Sequence, residues 1–146
     1  MPIVGFNFDK IDAEKKRPVE PPVNVNTGVV VKDMKEEKLP VGKSETVLRV
    51  DFEFTVKYEP GIADILLGGH LLYLDESKKA KDILNTWKKD KKLGHDVMQV
   101  IMNTILIKSN VKALMISQEL NLPPHVKLPT IQSQPIKKSK ADLMVS

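Results

Sequence analysis

With 146 residues, 41% of them apolar and 29% charged, the chain has the composition of an ordinary folded domain. A chain of this length buries roughly two-thirds of the surface its unfolded form exposes. The 23 basic and 19 acidic residues leave a net charge of +4, carried almost wholly by lysine, since only Arg17 and Arg49 are arginines. That bias argues against specific phosphate or guanine readout, which favours the guanidinium fork, and the lack of cysteine excludes disulfides, thiolate metal cages and a cysteine nucleophile.

A lysine- and glutamate-rich, cysteine-free composition suits a heat-adapted cytosolic protein. The N-terminus MPIVGFNFDK lacks the basic start and apolar stretch of a signal peptide, so a cytoplasmic address is expected. The longest apolar region, Val97 to Ile107, is interrupted by Gln99, Asn103 and Thr104 and falls short of the roughly 20 residues a membrane span needs. No membrane partner is expected.

In chain order, Val4, Phe6 and Phe8 alternate with polar or small residues and predict a short strand. DAEKKRPVEPP, from Asp12 to Pro22, is too charged and proline-rich for an element. VNVNTGVVVK, from Val23 to Lys32, predicts a second strand, and KEEKLPVGKSE, from Lys35 to Glu45, a loop.

VLRVDFEFTVKY is the clearest strand signal. Leu48, Val50, Phe52, Phe54, Val56 and Tyr58 alternate with Arg49, Asp51, Glu53, Thr55 and Lys57, one face buried and one wet. Pro60 and Gly61 then predict a reversal. A hairpin centred between them sets Phe52 opposite Gly69, Val50 opposite Leu71 and Leu48 opposite Tyr73 on the apolar face. On the wet face it sets Lys57 against Asp64 and Asp51 against His70 as charge-compatible pairs. In this register Gly69 leaves room for the Phe52 ring, and Gly68 beside it invites a bend or bulge. The spacing is not that of a phosphate-binding loop, because the strand pattern continues through LLYL.

The periodicity then turns helical. Ala80, Ile83, Leu84 and Trp87 share one face of a helix starting near Asp75 or Ser77, both good caps, and ending before Gly94. Asp96 is placed to cap a second helix running to about Gln118. Its apolar residues surround most of the axis, more than one sheet face can cover, which predicts a homo-oligomer. NLPPHVKLPTIQSQP, from Asn121 to Pro135, is barred from helix by its prolines, and KKSKADLMVS forms a basic tail.

Little of this sequence resembles catalytic machinery. His70, His95 and His125 have none of the local spacings of zinc ligands, so no metal and no cofactor is expected. His70 opposite Asp51 has the look of an orienting pair, but no nucleophile elbow accompanies it, so no catalytic residue is assigned and no enzyme activity is expected. Lys88, Lys89, Lys91 and Lys92 form the most basic patch, beside Trp87. Its register with Ile83 and Leu84 makes Trp87 a core residue and the lysines a solvated face. Met98, Met102 and Met115 offer an adaptable apolar surface, or plain core packing.

Taken in order, GFNF, VNVNTGVVV, VLRVDFEFTV, ILLGGHLLYL with its paired glycines, the helix DVMQVIMNTILIKSNVKALMI and the proline-bearing LNLPPHVKLPTI resemble the SecB-like chaperones. The resemblance covers roughly Val4 to Ile131. It implies an α+β fold, a four-stranded antiparallel sheet followed by two helices, the long one packing on the sheet and at a subunit interface. It also implies a single domain over residues 1–131 with a flexible basic tail over 132–146, in a divergent, archaeal-type member. Such chaperones hold unfolded polypeptides in apolar grooves as dimers or tetramers, which here implies Met98, Met102, Leu106, Leu122, Val126 and Leu128 as the polypeptide-binding set. The alternative is an RNA- or ribosome-associated protein binding through Lys88, Lys89, Lys91 and Lys92. The chain departs from the family in its basic charge, in the lysine-rich helix Ser77 to Leu93, and in lacking a clear helix after Pro129, so neither export nor a SecA partner is implied.

Overall fold

The structure is a computed structural model and describes residues 3–40 and 42–127. Strands β1 (Ile3–Lys15), β2 (Asn24–Glu37), β3 (Glu45–Glu59) and β4 (Ala63–Glu76) are followed by helices α1 (Ser77–Asp90) and α2 (His95–Glu119). The strands form one antiparallel sheet in the order β1-β4-β3-β2, which makes β1 and β2 its edges. This is the expected α+β architecture.

The β3–β4 hairpin has the register predicted from the sequence, with Phe52 opposite Gly69, Val50 opposite Leu71 and Leu48 opposite Tyr73. Its turn closes where the Ile62 amide donates to the Tyr58 carbonyl at 2.9 Å, and Gly61 at φ 58° supplies the left-handed residue. Lys57 and Asp64 are opposed in the backbone register, as are Asp51 and His70, but their side chains choose other partners. Asp64 pairs with Lys16 at 2.7 Å, and His70 Nδ1 lies 2.7 Å from the Asp9 carboxylate. Asp51 is instead held by Arg49 at 3.0 Å. The expected pairs fail because β1 lies on the far side of β4 and brings its own charges to that face.

The paired glycines are explained mainly by β1. A Cβ on Gly69 would collide with the carbonyl oxygen of Asn7 and would lie 3.0 Å from both the Phe8 Cα and the Phe52 ring. At Gly68 it would meet the Lys10 Cβ at 3.6 Å and the Phe52 carbonyl oxygen at 4.0 Å, both ordinary contacts. The expected irregularity is present, but β1 carries it: the register shifts between Phe8 and Lys10, so Asp9 is the extra residue.

β1 and β2 both extend beyond their predicted ends. β1 continues through Ile11 and Ala13 to Lys15, pairing down to Lys15 opposite Ala63. β2 runs to Glu37, opposite Val47. Each follows a long apolar neighbour whose backbone groups need partners, which overrides the local charge of these segments.

One face of the sheet carries the core, in two clusters. Val50, Phe52, Leu71 and Tyr73 pack with Ala80 and Trp87 of α1 and with Ile101 and Ile105 of α2. Phe54, Val56, Ile65 and Leu67 pack with Ala113 and Leu122. Full burial of each large aliphatic or aromatic side chain contributes about 1.5 to 3 kcal/mol. The α2 residues buried against the sheet are Ile101, Ile105, Ser109, Ala113 and Ser117, four apart, and the small ones let the helix backbone approach the second cluster closely.

Neither helix has the predicted side-chain cap. β4 runs extended directly into α1, with Glu76 at the N-cap, and the Ser77 hydroxyl is engaged with Thr46 at 2.7 Å. At α2 the cap position is Gly94, and Asp96 lies inside the first turn, where its charge suits the helix dipole. The C-terminus of α2 closes by a Schellman motif. Asn121 adopts φ 54°, its amide donates to the Gln118 carbonyl at 3.2 Å, and the Leu122 amide donates to the Ser117 carbonyl at 2.8 Å.

Candidate functional site

An open groove of about 540 Å³ runs between edge strand β1 and helix α2. Phe6, Asn7 and Phe8 line one side, and Ile107, Lys108, Val111, Lys112 and Met115 the other. The two phenylalanines are anchored from below. The rings of Phe6 and Phe8 meet edge-to-face at 5.1 Å between centroids, and Phe6 stacks on buried Phe52 at 5.2 Å. The groove is thus a continuation of the core that reaches the surface.

Its helical lip is the least covered apolar surface of α2. Ile107 is 65% exposed, Val111 58% and Met115 55%. They recur every four residues on the side of α2 turned away from its buried stripe, so no packing among the described residues accounts for them. Lys108 lies nearer β1, with its Nζ 5.5 Å from the centre of the Phe6 ring. By length and mean hydropathy alone α2 would pass for a membrane span, and one stripe of it, from Ile101 to Ser117, is buried within the chain.

The residues implied by the resemblance fall in several places. Met98 and Leu106 are exposed on α2, whereas Met102 packs against the first core cluster. Leu122 is 6% exposed and packs within the second cluster. The Schellman motif turns it inward, because the residue after the left-handed Asn121 is the one that contacts the last helical turn. Val126 is half-buried, and Leu128 lies outside the described residues, as do Ile131 and the tail 132–146. Lys88, Lys89, Lys91 and Lys92 are exposed, and Trp87 is 6% exposed. The lysines therefore have no open aromatic face beside them on which a base would stack.

The segment after α2 is fastened over the second cluster. The Tyr58 hydroxyl donates to the Pro123 carbonyl at 2.6 Å, and His125 Nε2 lies 2.8 Å from Asn110 Oδ1. The His125 ring meets Phe54 edge-on, its Nδ1 is buried, and burial pushes the imidazole below its ordinary value.

On the opposite face of the sheet, Asp9, His70, Arg49 and Asp51 form a polar cluster around the Asp9 bulge. The His70–Asp9 hydrogen bond orients the imidazole, but Asp9 is half exposed and, among the described residues, neither a hydroxyl nor a thiol lines the depression there. Among the described residues no group of histidines and carboxylates is arranged to hold a metal ion.

No protein-family model matches the sequence, and a search of curated proteins finds no match. Solved structures supply the comparison. The fold is similar to that of Rv1957, a SecB-like chaperone of Mycobacterium tuberculosis solved in complex with a ChAD peptide from the Rv1956 HigA1 antitoxin. The match covers 92% of this chain and 91% of that one, with a TM-score of 0.53 and 14% identity. The chain therefore has a SecB-like fold.

Proposed function

We propose that the protein is a chaperone-like polypeptide-binding module that holds unfolded, apolar segments in the groove between β1 and α2. The observation that carries this reading is the exposed Ile107, Val111 and Met115 stripe, which lines the same open groove as Phe6 and Phe8, an apolar surface continuous with the core. Such a groove recognises what unfolded chains expose and folded chains bury. The flexible Met115 side chain adapts to varied occupants. Two features support a backbone contribution: β1 is an edge strand, and an extended segment laid along it gains main-chain hydrogen bonds. The fold shared with a peptide-bound SecB-like chaperone supports the same reading.

Surface of α2 beyond the groove, including Met98 and Leu106, is the proposed site of homo-oligomerisation. The test is suppression of aggregation of a refolding substrate. Replacing Ile107 and Met115 by Glu should abolish it, while replacing Lys88, Lys89, Lys91 and Lys92 by Glu should leave it intact. Loss only in the lysine variant, with RNA co-purifying at low salt, would favour the nucleic-acid reading instead.

A further inference from the structure

The groove has a charge as well as an apolar lining. Among the described residues, Lys108 and Lys112 are the charged ones that line it, and no carboxylate does. The nearest acid in β1, Asp9, follows inward-facing Phe8 and lies on the opposite face, where it meets His70 and Arg49. An occupant therefore meets apolar side chains flanked by two ammonium groups that form no ion pair among the described residues.

We propose that the groove selects extended segments in which apolar residues alternate with acidic ones. The inference rests on the polypeptide-holding reading above and names its preferred client. The spacing supports it. Lys108 and Lys112 are one helical step of four residues apart, about 6 Å along the axis. Alternate residues of an extended strand are about 6.6 Å apart and point to the same side. Carboxylates two apart on a client thus reach both lysines together, while the residues between them turn away from α2 toward the Phe6 and Phe8 side of the groove. Lys108 already lies against the Phe6 ring, so an acidic residue is neutralised at the boundary of the apolar surface without entering it.

The experiment uses the full-length protein and three labelled synthetic peptides of alternating valine with glutamate, glutamine or lysine, with binding followed by fluorescence anisotropy. The glutamate peptide should bind about tenfold more tightly than the lysine peptide, with glutamine between, as two partly exposed charge pairs allow. The difference should shrink at about 1 M salt, where the screening length is roughly 3 Å, while the apolar contribution persists.

Lys108→Glu combined with Lys112→Glu should invert the order. These side chains reach solvent, so the variant should fold, and matching thermal melts would establish that. Equal binding of all three peptides would overturn the acidic preference and leave polypeptide holding intact. Binding of none would overturn both. A glutamate preference that survives the double reversal would place the selecting charge elsewhere and also overturn the proposal. If Ile107→Glu with Met115→Glu converts a dimer to a monomer, and no peptide competes with the dimer, the occupant is a second copy and the proposal fails.

Discussion

Replacing Gly69 by Ala should destabilise the fold by about 2 to 3 kcal/mol, the upper part of the range for overpacking a closed site. A single added methyl has such an effect here because two of the atoms it meets are backbone. The new Cβ collides with the Asn7 carbonyl oxygen and reaches the Phe8 Cα at 3.0 Å, and both belong to the β1–β4 ladder, where Phe8 pairs with Gly69. The ring of Phe52, also 3.0 Å away, can tilt, but β1 can yield only by breaking ladder hydrogen bonds. Phe52→Leu should therefore fail to rescue Gly69→Ala. Gly68→Ala, whose Cβ makes only ordinary contacts, with Lys10 at 3.6 Å and the Phe52 carbonyl oxygen at 4.0 Å, should be neutral or stabilise by up to about 1 kcal/mol, since alanine in a strand loses less entropy than glycine. Urea unfolding would read these differences as midpoint shifts at constant slope, and thermal melts as about 4 °C per kcal/mol for a chain of this size. A Gly69→Ala variant within about 0.5 kcal/mol of wild type, or full rescue by Phe52→Leu, would refute the assignment of the glycine to β1.

Leu122→Ala should cost about 2 to 4 kcal/mol by denaturant unfolding, because its side chain is 6% exposed within the second cluster. Asn121→Val should cost about 1 to 2 kcal/mol, since a β-branched residue is ill suited to φ 54°, and Asn121→Gly should be tolerated. His125 makes stability pH-dependent with a defined sign. Burial lowers its folded-state pKa, so the neutral form is favoured. Its contribution is complete above the unfolded value of about 6.5 and declines as the pH falls below that toward the lower folded value. Melts between about pH 7.5 and 5 should show a decline that is smaller in His125→Asn, and an equal decline in both would place the titrating group elsewhere.

The central hairpin was the most legible part of the sequence because it satisfies several local requirements at once. Strict alternation, a Pro-Gly reversal and apolar matching across the register all specify Phe52 opposite Gly69. Edge strands were less legible. Asp12 to Lys15 reads as a charged loop, yet it forms strand because β4 offers paired partners along its whole length, information that resides in β4 rather than in β1. The wet-face ion pairs were misassigned for the same reason. A two-strand register cannot anticipate that a third strand, inserted next to β4, brings Asp9 and Lys16 within reach of His70 and Asp64.

The groove was half legible, and the missing half is again the partner. An all-round apolar α2 signals surface in excess of what one sheet covers, but periodicity alone does not say which residues remain uncovered. Met98, Met102 and Leu106 follow one another at helical spacing as consistently as Ile107, Val111 and Met115 do. The choice is made by the stripe from Ile101 to Ser117, whose small residues Ser109, Ala113 and Ser117 seat the helix against the second cluster and thereby fix its rotation. That rotation leaves Ile107, Val111 and Met115 facing outward and Lys108 over Phe6. Ser109, Ala113 and Ser117 were the available signal: at four-residue spacing in line with Ile101 and Ile105, they mark a helix face pressed close to a sheet, and the residues opposite them are the ones left for an occupant.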